Sequence, residues 1–338
     1  IISGSLGYLI VVVGMVATGM IGCDLGLASC TCCQAGFGKS GARFIVSTIF
    51  AVNMIGWFGI QNGVCGEAFS NAMLAMTGWD IPVVVSNTIW GIIMLLTAVY
   101  GVHALEKLDK ISIPLLMIIM CYGIFLAFKV YGTGNLNDEG TVQSMSFMSG
   151  VALSFNFTAV GTITGPDYTR FQKSRKDTVK SVFYGVFPMG VITLIMGIVL
   201  TKLSGQYDIS MVLIEVGLPL LGIIALVIST WTTNSTNAYS AGLNIVMALK
   251  LKDNRRREAT LISGIVGIVL CDLGILGHVE GVLSLLSYVV CPVGGVILAD
   301  YWVVGKGKAK NFRPQDGVNW AGVIAWALGA IISYTLVK

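Results

Sequence analysis

The chain has 338 residues, 55% of them hydrophobic and only 11% charged, with a mean hydropathy of +0.83. Soluble domains carry about 25% charged residues, so a deficit spread over the whole length excludes a soluble enzyme and points to an integral membrane protein. The net charge of +4 carries no nucleic-acid signal, because the basic residues fall in short clusters between apolar runs.

A membrane span needs about 20 mostly apolar residues. Ten segments qualify: 1–22, 43–65, 81–103, 108–131, 145–165, 181–203, 213–248, 259–276, 281–304 and 317–337. Pro114 inside the fourth suggests a kink rather than a stop. The short linkers imply one helical bundle, a single domain over 1–338. Ile1 already lies inside an apolar run, so the reading expects further sequence before it. Cys23, Cys30, Cys32 and Cys33 crowd the first linker. A C-x-C-C run without a nearby His does not match zinc spacings, so reduced thiols in a cytoplasmic loop are expected there.

Basic residues set the orientation. The linkers after the first, third, fifth, seventh and ninth spans hold nearly all the Lys and Arg, leaving only Lys129, Lys202 and Lys338 for the other side. The positive-inside rule makes those linkers cytoplasmic. The Gly-rich stretch 133–140 then reads as an outer turn. No phosphate-binding loop, Ser/His/Asp set or H-E-x-x-H occurs, so the chain is read as not an enzyme. Any transport would be driven by a gradient or run downhill.

Four stretches carry polar chemistry inside apolar spans. In 53–63, Asn53, Trp57 and Gln61 recur every four residues and so share one helix face. An indole between two carboxamides suits a flat, polar, aromatic ligand; the same residues could equally pack and bond between helices. In 155–171, Thr158, Gly161, Thr162, Thr164, Gly165 and Pro166 crowd one short span. Gly costs about 1 kcal/mol and Pro about 3 in a helix interior. A discontinuous helix at 145–165 with its break near Gly161 would expose backbone groups as transporter substrate sites do, and a small-residue packing face is the alternative. In 229–242, Ser229, Thr232 and Thr233 stand at i, i+3 and i+4. Their oxygens could hold a sodium ion or simply bond back along the helix, and Asn234 and Asn237 add amides at that level. In 287–302, Pro292, Gly294 and Gly295 allow a bend, with Asp300 at the inner end. Asp167 and Arg170 could pair or cap at the inner interface.

GWFG at 56–59, Phe157 to Thr162, DYTRF at 167–171, WTTN at 231–234 and PVGGVILADY at 292–301, in that order, resemble nucleobase:cation symporter family 1, and within it the purine/cytosine permease group. The resemblance implies a twelve-helix, five-plus-five inverted-repeat, all-α membrane fold of which this chain covers helices two to eleven. It implies a secondary active importer of a nucleobase by cation symport and alternating access, multi-pass in the inner (plasma) membrane. The coupling ion would be sodium or a proton, and no other cofactor is implied. Trp57 and Phe157 would sandwich the base, Gln61 would read its edge, and Asn234 would neighbour it. Ser229, Thr232 and Thr233 would form half of the sodium site. Met54 stands where cytosine members carry a Gln. A thiamine-precursor pyrimidine, an allantoin or a hydantoin is the other substrate reading within the family. A non-transporting receptor or inactive remnant is the reading outside transport. The partners expected are a small planar heterocycle and the lipid bilayer; oligomeric state is not legible.

Overall fold

A computed structural model of the chain describes residues 1–100, 102–133, 145–205 and 209–337. The outer turn expected at 134–140 lies outside these residues. No strand occurs among the described residues, and each of the ten expected spans falls on helix. The helices are α1 (Ile2–Leu25), α2 (Ser29–Cys32), α3 (Gln34–Gly41), α4 (Ser47–Thr77), α5 (Val83–Tyr100), α6 (Val102–Tyr131), α7 (Phe147–Thr158), α8 (Gly161–Thr169), α9 (Arg175–Ser204), α10 (Ile209–Glu215), α11 (Pro219–Ala248), α12 (Arg256–Asp272), α13 (Val279–Leu298) and α14 (Trp320–Val337). Seven helical stretches are at least 18 residues long and apolar enough to cross a membrane among the described residues. Of the other three expected spans, the one on α11 is diluted by the polar residues 229–237. The one on α12 has 17 helical residues, and the apolar stretch on α14 runs only over Trp320–Leu336.

Some boundaries differ from the hydropathy reading, for local reasons. The second span was expected to end at Cys65, but beyond a kink at Gly38 (φ 76°, ψ 161°) helix runs through a π turn at Ala42–Val46 to Thr77. No proline interrupts it, and Gly78, at φ 74°, ends it in the left-handed conformation that glycine adopts without Cβ penalty. The seventh span, expected as one piece from 213 to 248, divides. Gly217 turns at φ 87°, and Pro219 opens α11 at a position where its missing N–H has no intrahelical partner to lose. Helix α6 continues through Pro114, as expected for a kink.

The helices form two groups. Around α4 pack α5, α11 and α12; around α1 pack α7, α8 and α9, with α13 reaching both. In the first group a long helix followed by a short one occurs twice: α4 and α5 have 31 and 18 residues, α11 and α12 have 30 and 17. The recurrence is what an internal repeat predicts.

The first group is joined by side-chain amides and hydroxyls. Asn234 Nδ2 donates to the Phe58 carbonyl at 3.1 Å, Ser235 Oγ to the Met94 carbonyl at 3.0 Å, and Trp231 Nε1 to Thr97 Oγ1 at 2.9 Å. Small residues join the second. A Cβ on Gly22 would stand 2.4 Å from Pro166 Cα, and one on Gly165 would stand 2.5 Å from the Met15 carbonyl oxygen. Such approach lets Thr18 Oγ1 donate to the Thr162 carbonyl at 2.8 Å and Thr169 Oγ1 to the Gly19 carbonyl at 2.7 Å. Without a hydrophobic driving force between helices in lipid, close backbones and interhelical hydrogen bonds supply the association.

All eight cysteines are free thiols. Cys30, Cys32 and Cys33 are buried where α2 and α3 fold back under the bundle. Burial is the main cause that pushes the Cys30 and Cys32 thiols up to about 12. At neutral pH they are therefore protonated, and the thiolate is the reactive form. Maleimide labelling followed by peptide mass mapping is expected to spare these three in the folded protein and to modify them on denaturation.

Candidate functional site

On α4, Asn53, Trp57 and Gln61 follow one another at single-turn spacing, as expected. Trp57 meets Phe157 of α7 with ring centroids 5.2 Å apart and planes at 88°. The two rings expected to grip a flat ligand thus share one place, but edge to face. Two parallel faces with a planar molecule between them need about 7 Å, twice a carbon contact of roughly 3.5 Å. In this arrangement the two rings close directly on each other, edge-to-face contact being favoured over a face-to-face pair. Phe157 remains 55% exposed, so the ring has room to turn.

The interruption expected near Gly161 lies at Ala159–Val160, and helix resumes at Gly161 and continues to Thr169. It is shallower than expected. Ala159 and Val160 keep helical dihedrals, and the N–H groups of Thr162 and Ile163 bond to carbonyls three residues back, at 3.0 and 3.1 Å. A tightened turn of this kind re-aims the segment beyond it. Gly161 stays half-exposed, and a Cβ added there would meet only Val11 Cγ1, at 3.2 Å. Thr162 donates through its hydroxyl to the Ala159 carbonyl at 2.6 Å, and its methyl packs on Gly14 of α1. It belongs to the α1–α8 seam. Gly165 and Pro166 belong there too, so the packing reading holds for that half of the stretch.

A cavity of about 1070 Å³ enters the molecule between α4, α5, α6, α11 and α12, with Thr193 of α9 at its wall, and Gln61 and Ser229 both line it. Gln61 is half-buried, and its carboxamide has no hydrogen-bond partner among the described residues. Further out the wall carries Glu67, Asn71, Asn87 and Asp272, none of them anticipated from sequence. The signal was present in the uninterrupted helical run after Cys65, which lifts Glu67 and Asn71 onto the same helix as Gln61. Asn87 Nδ2 donates to Asp272 Oδ1 at 3.1 Å and Asn62 Nδ2 to the Asn87 carbonyl at 2.9 Å, fixing α4, α5 and α12 around the opening.

On α11 the polar stretch divides by face. Asn234 is fully buried on the scaffold side, bonded to the Phe58 carbonyl. It positions α4 against α11. Asn237 stays half-buried and donates to Asn234 Oδ1 at 3.5 Å. Asn53 is 3% exposed, and its Oδ1 has no partner among the described residues. Leaving a buried acceptor unpaired costs about 1–3 kcal/mol, a cost that a donor supplied by a ligand would remove.

Ser229 Oγ donates to the Leu226 carbonyl at 3.0 Å, while Thr232 Oγ1 and Thr233 Oγ1 both donate to the Ser229 carbonyl at 3.0 Å. The hydroxyls bond back along their own helix, the alternative weighed from sequence. Donation leaves each oxygen its lone pairs, and Ser229 opens on the cavity with Thr233 exposed beside it. Three such oxygens on one face have the chemistry of half a cage for a hard cation.

At the cytoplasmic end, Asp24 of α1 accepts from Arg175 of α9 through Nε at 2.9 Å to each oxygen and through Nη2 at 2.6 Å. The Tyr301 hydroxyl, just beyond α13, donates to the same carboxylate. The guanidinium stacks over Trp302 at 4.9 Å. Nothing in the sequence paired these residues, which stand 151 and 277 positions apart from Asp24. Asp167 caps the neighbouring α2 by accepting from the Ser29 N–H at 2.9 Å, rather than pairing with Arg170.

A family model described as permease for cytosine/purines, uracil, thiamine and allantoin matches residues 2–338. The cytosine permease of Escherichia coli (strain K12) is 31% identical over 324 residues, 94% of this chain and 74% of that protein. Among solved structures, the inward-facing conformation of Mhp1 is similar with a TM-score of 0.78 at 19% identity, covering 99% of this chain and 81% of that one. Mhp1, a nucleobase-cation-symport-1 family transporter, in a closed conformation with bromovinylhydantoin bound, is similar with a TM-score of 0.73 at 17% identity, covering 99% and 83%. At these identities the structural likeness speaks for the fold, and the sequence match speaks for the kinship. The chain therefore belongs to the family of permeases for cytosine/purines, uracil, thiamine and allantoin, nucleobase:cation symporter family 1, and is a multi-pass membrane transporter, not an enzyme.

Proposed function

We propose that this permease imports a planar nitrogen heterocycle, a nucleobase such as cytosine, together with a cation, by alternating access. The observation that carries the reading is the outer cavity that reaches both Gln61, one turn from Trp57, and Ser229, one turn from Thr232 and Thr233. The cavity stops about one turn short of the rings and of Thr232 and Thr233; in the proposed path a solute passes Gln61 to reach the aromatic pair and an ion passes Ser229 to reach the hydroxyl face. A base entering between Trp57 and Phe157 exchanges their edge-to-face contact for two stacked faces, with Gln61 giving donor and acceptor to its edge. The tightened turn at Ala159–Val160 lies directly after Phe157 and is the natural place for that ring to swing. The inner end is held by the Asp24–Arg175–Tyr301 cluster, which joins the α1 group to the end of α13. Release to the cytoplasm requires those contacts to part while the outer cavity narrows.

Sodium is the proposed coupling ion, a co-transported substrate held in part by Ser229, Thr232 and Thr233. Uptake of labelled cytosine into proteoliposomes, with sodium and proton gradients imposed separately, tests this. Thr233→Ala is expected to raise the sodium concentration for half-maximal uptake while leaving uptake at saturating sodium largely intact. Uptake that follows pH and ignores sodium in the unaltered protein removes the sodium assignment and leaves a proton in its place. Met54, standing where cytosine members carry an amide, favours a second reading of the base itself. Competition of uptake by uracil, allantoin and a thiamine-type pyrimidine separates the candidates.

A further inference from the structure

On the cytoplasmic side, a second cavity of about 380 Å³ lies between the α3–α4 junction and the end of α11. Lys39, Arg43 and Lys250 line it, with Gln34 and one carboxylate, Asp253. Arg43 has no anionic partner among the described residues, and its Nε is buried without a hydrogen bond. Lys39 reaches out to Asp316 at 2.8 Å, but that carboxylate is 91% exposed, and such a pair contributes little and can be exchanged. Arg43 sits in the π turn at Ala42–Val46; π turns widen a helix locally and recur at functional positions.

Lys250 adds an independent observation. It adopts φ 53° just past the C-terminus of α11, where the Leu251 N–H closes back on the Val246 carbonyl at 3.0 Å. That left-handed position ordinarily holds glycine. The side chain of Lys250 lines this cavity.

The rim is apolar. Leu251 and Met247 line it and are 41% and 39% exposed, and the neighbouring Phe44, 50% exposed, carries the Arg43 guanidinium over its ring at 4.5 Å. A basic interior under an apolar rim matches an amphiphile with a phosphate head and acyl tails. Anionic lipids concentrate in the cytoplasmic leaflet, and basic pockets between helices on that side bind their headgroups. We infer that this pocket is a binding site for the phosphate headgroup of an anionic phospholipid, held by Arg43, Lys250 and Lys39, with the acyl chains lying over Phe44 and Leu251.

The test is native mass spectrometry of the protein released from phosphatidylcholine nanodiscs with and without phosphatidylglycerol. The unaltered protein is expected to retain phosphatidylglycerol selectively. Arg43→Gln and Lys250→Gln are each expected to lower retention about fivefold, the effect of one basic residue near an anionic surface. Lys176→Gln, which removes a cytoplasmic cation outside the pocket, is expected to leave retention unchanged. Lys250→Gly removes the charge and the backbone strain together, so it is expected to melt no earlier than the unaltered protein while losing the lipid. Equal retention in the pocket variants overturns the site. Equal loss in Lys176→Gln replaces it with diffuse surface attraction. Displacement of the lipid by millimolar inorganic phosphate overturns the lipid assignment and makes soluble phosphate the occupant.

Discussion

Trp57→Ala is expected to weaken substrate binding by about 5- to 150-fold, the range for losing one base–aromatic stack worth roughly 1–3 kcal/mol. Trp57→Phe keeps a ring and is expected to retain most of the affinity. The measurement is equilibrium binding of labelled cytosine, or of whichever heterocycle competes best, to purified protein. Unchanged affinity in the alanine variant would remove Trp57 from the site. Stability gives a second readout. Trp57 and Phe157 pack edge to face, an arrangement worth about 0.5–1.5 kcal/mol beyond area burial, so Trp57→Ala and Phe157→Ala are expected to lower the melting temperature by similar, small amounts. Only a ligand contact makes the two also lose affinity, so a variant that melts earlier but binds normally identifies a purely structural pair.

A larger effect on folding is expected at the seam between α1 and α8. Gly165→Val would place Cβ 2.5 Å from the Met15 carbonyl oxygen, 2.8 Å from Thr18 Oγ1 and 2.9 Å from the Gly19 nitrogen. Two of those atoms are backbone and cannot yield as a side chain can. The helices must separate, breaking the Thr18–Thr162 and Thr169–Gly19 hydrogen bonds. Overpacking typically costs about 1–3 kcal/mol, and here the two hydrogen bonds are lost in addition. Loss of the monodisperse peak in fluorescence-detected size-exclusion chromatography is the expected result. Gly185→Ala and Gly197→Ala supply the contrast. Both lie in α9 with nothing within 4 Å of an added Cβ, and alanine there is expected to stabilise the helix by up to about 1 kcal/mol. A Gly165→Val protein that purifies and melts like these controls would contradict the close packing of α1 on α8.

Legibility followed the range of each signal. The ten helical segments and their alternation could be read because apolar length and the placement of Lys and Arg are local properties of the chain. The stripe Asn53, Trp57, Gln61 could be read because single-turn spacing is helix geometry. The motif string that led to the family runs in sequence order and needs no folding to see. What the sequence left open, a partner from far along the chain decided. Asn234 and Asn237 look alike in sequence, yet one is spent on the Phe58 carbonyl and the other remains at an open face. Thr162 and Phe157 sit in one motif, yet α1 claims the threonine. Glu67 was missed because hydropathy set the end of the second span, while the helix itself ends where Gly78 turns.

By itself the sequence determined that this is a multi-pass helical membrane protein, where its basic linkers alternate, and which rings and hydroxyls stand on which helix. Those properties follow from hydrophobicity, charge and the period of the α-helix, each set within a few turns. Tertiary structure alone decided that Trp57 and Phe157 meet edge to face, that the cavity runs to Gln61 and Ser229, and that Asp24, Arg175 and Tyr301 close together at the inner end. The physical reason is that apolar pattern specifies burial but not partner. In lipid, helices are matched by close backbone approach and by particular hydrogen bonds, which exist only once distant segments are side by side.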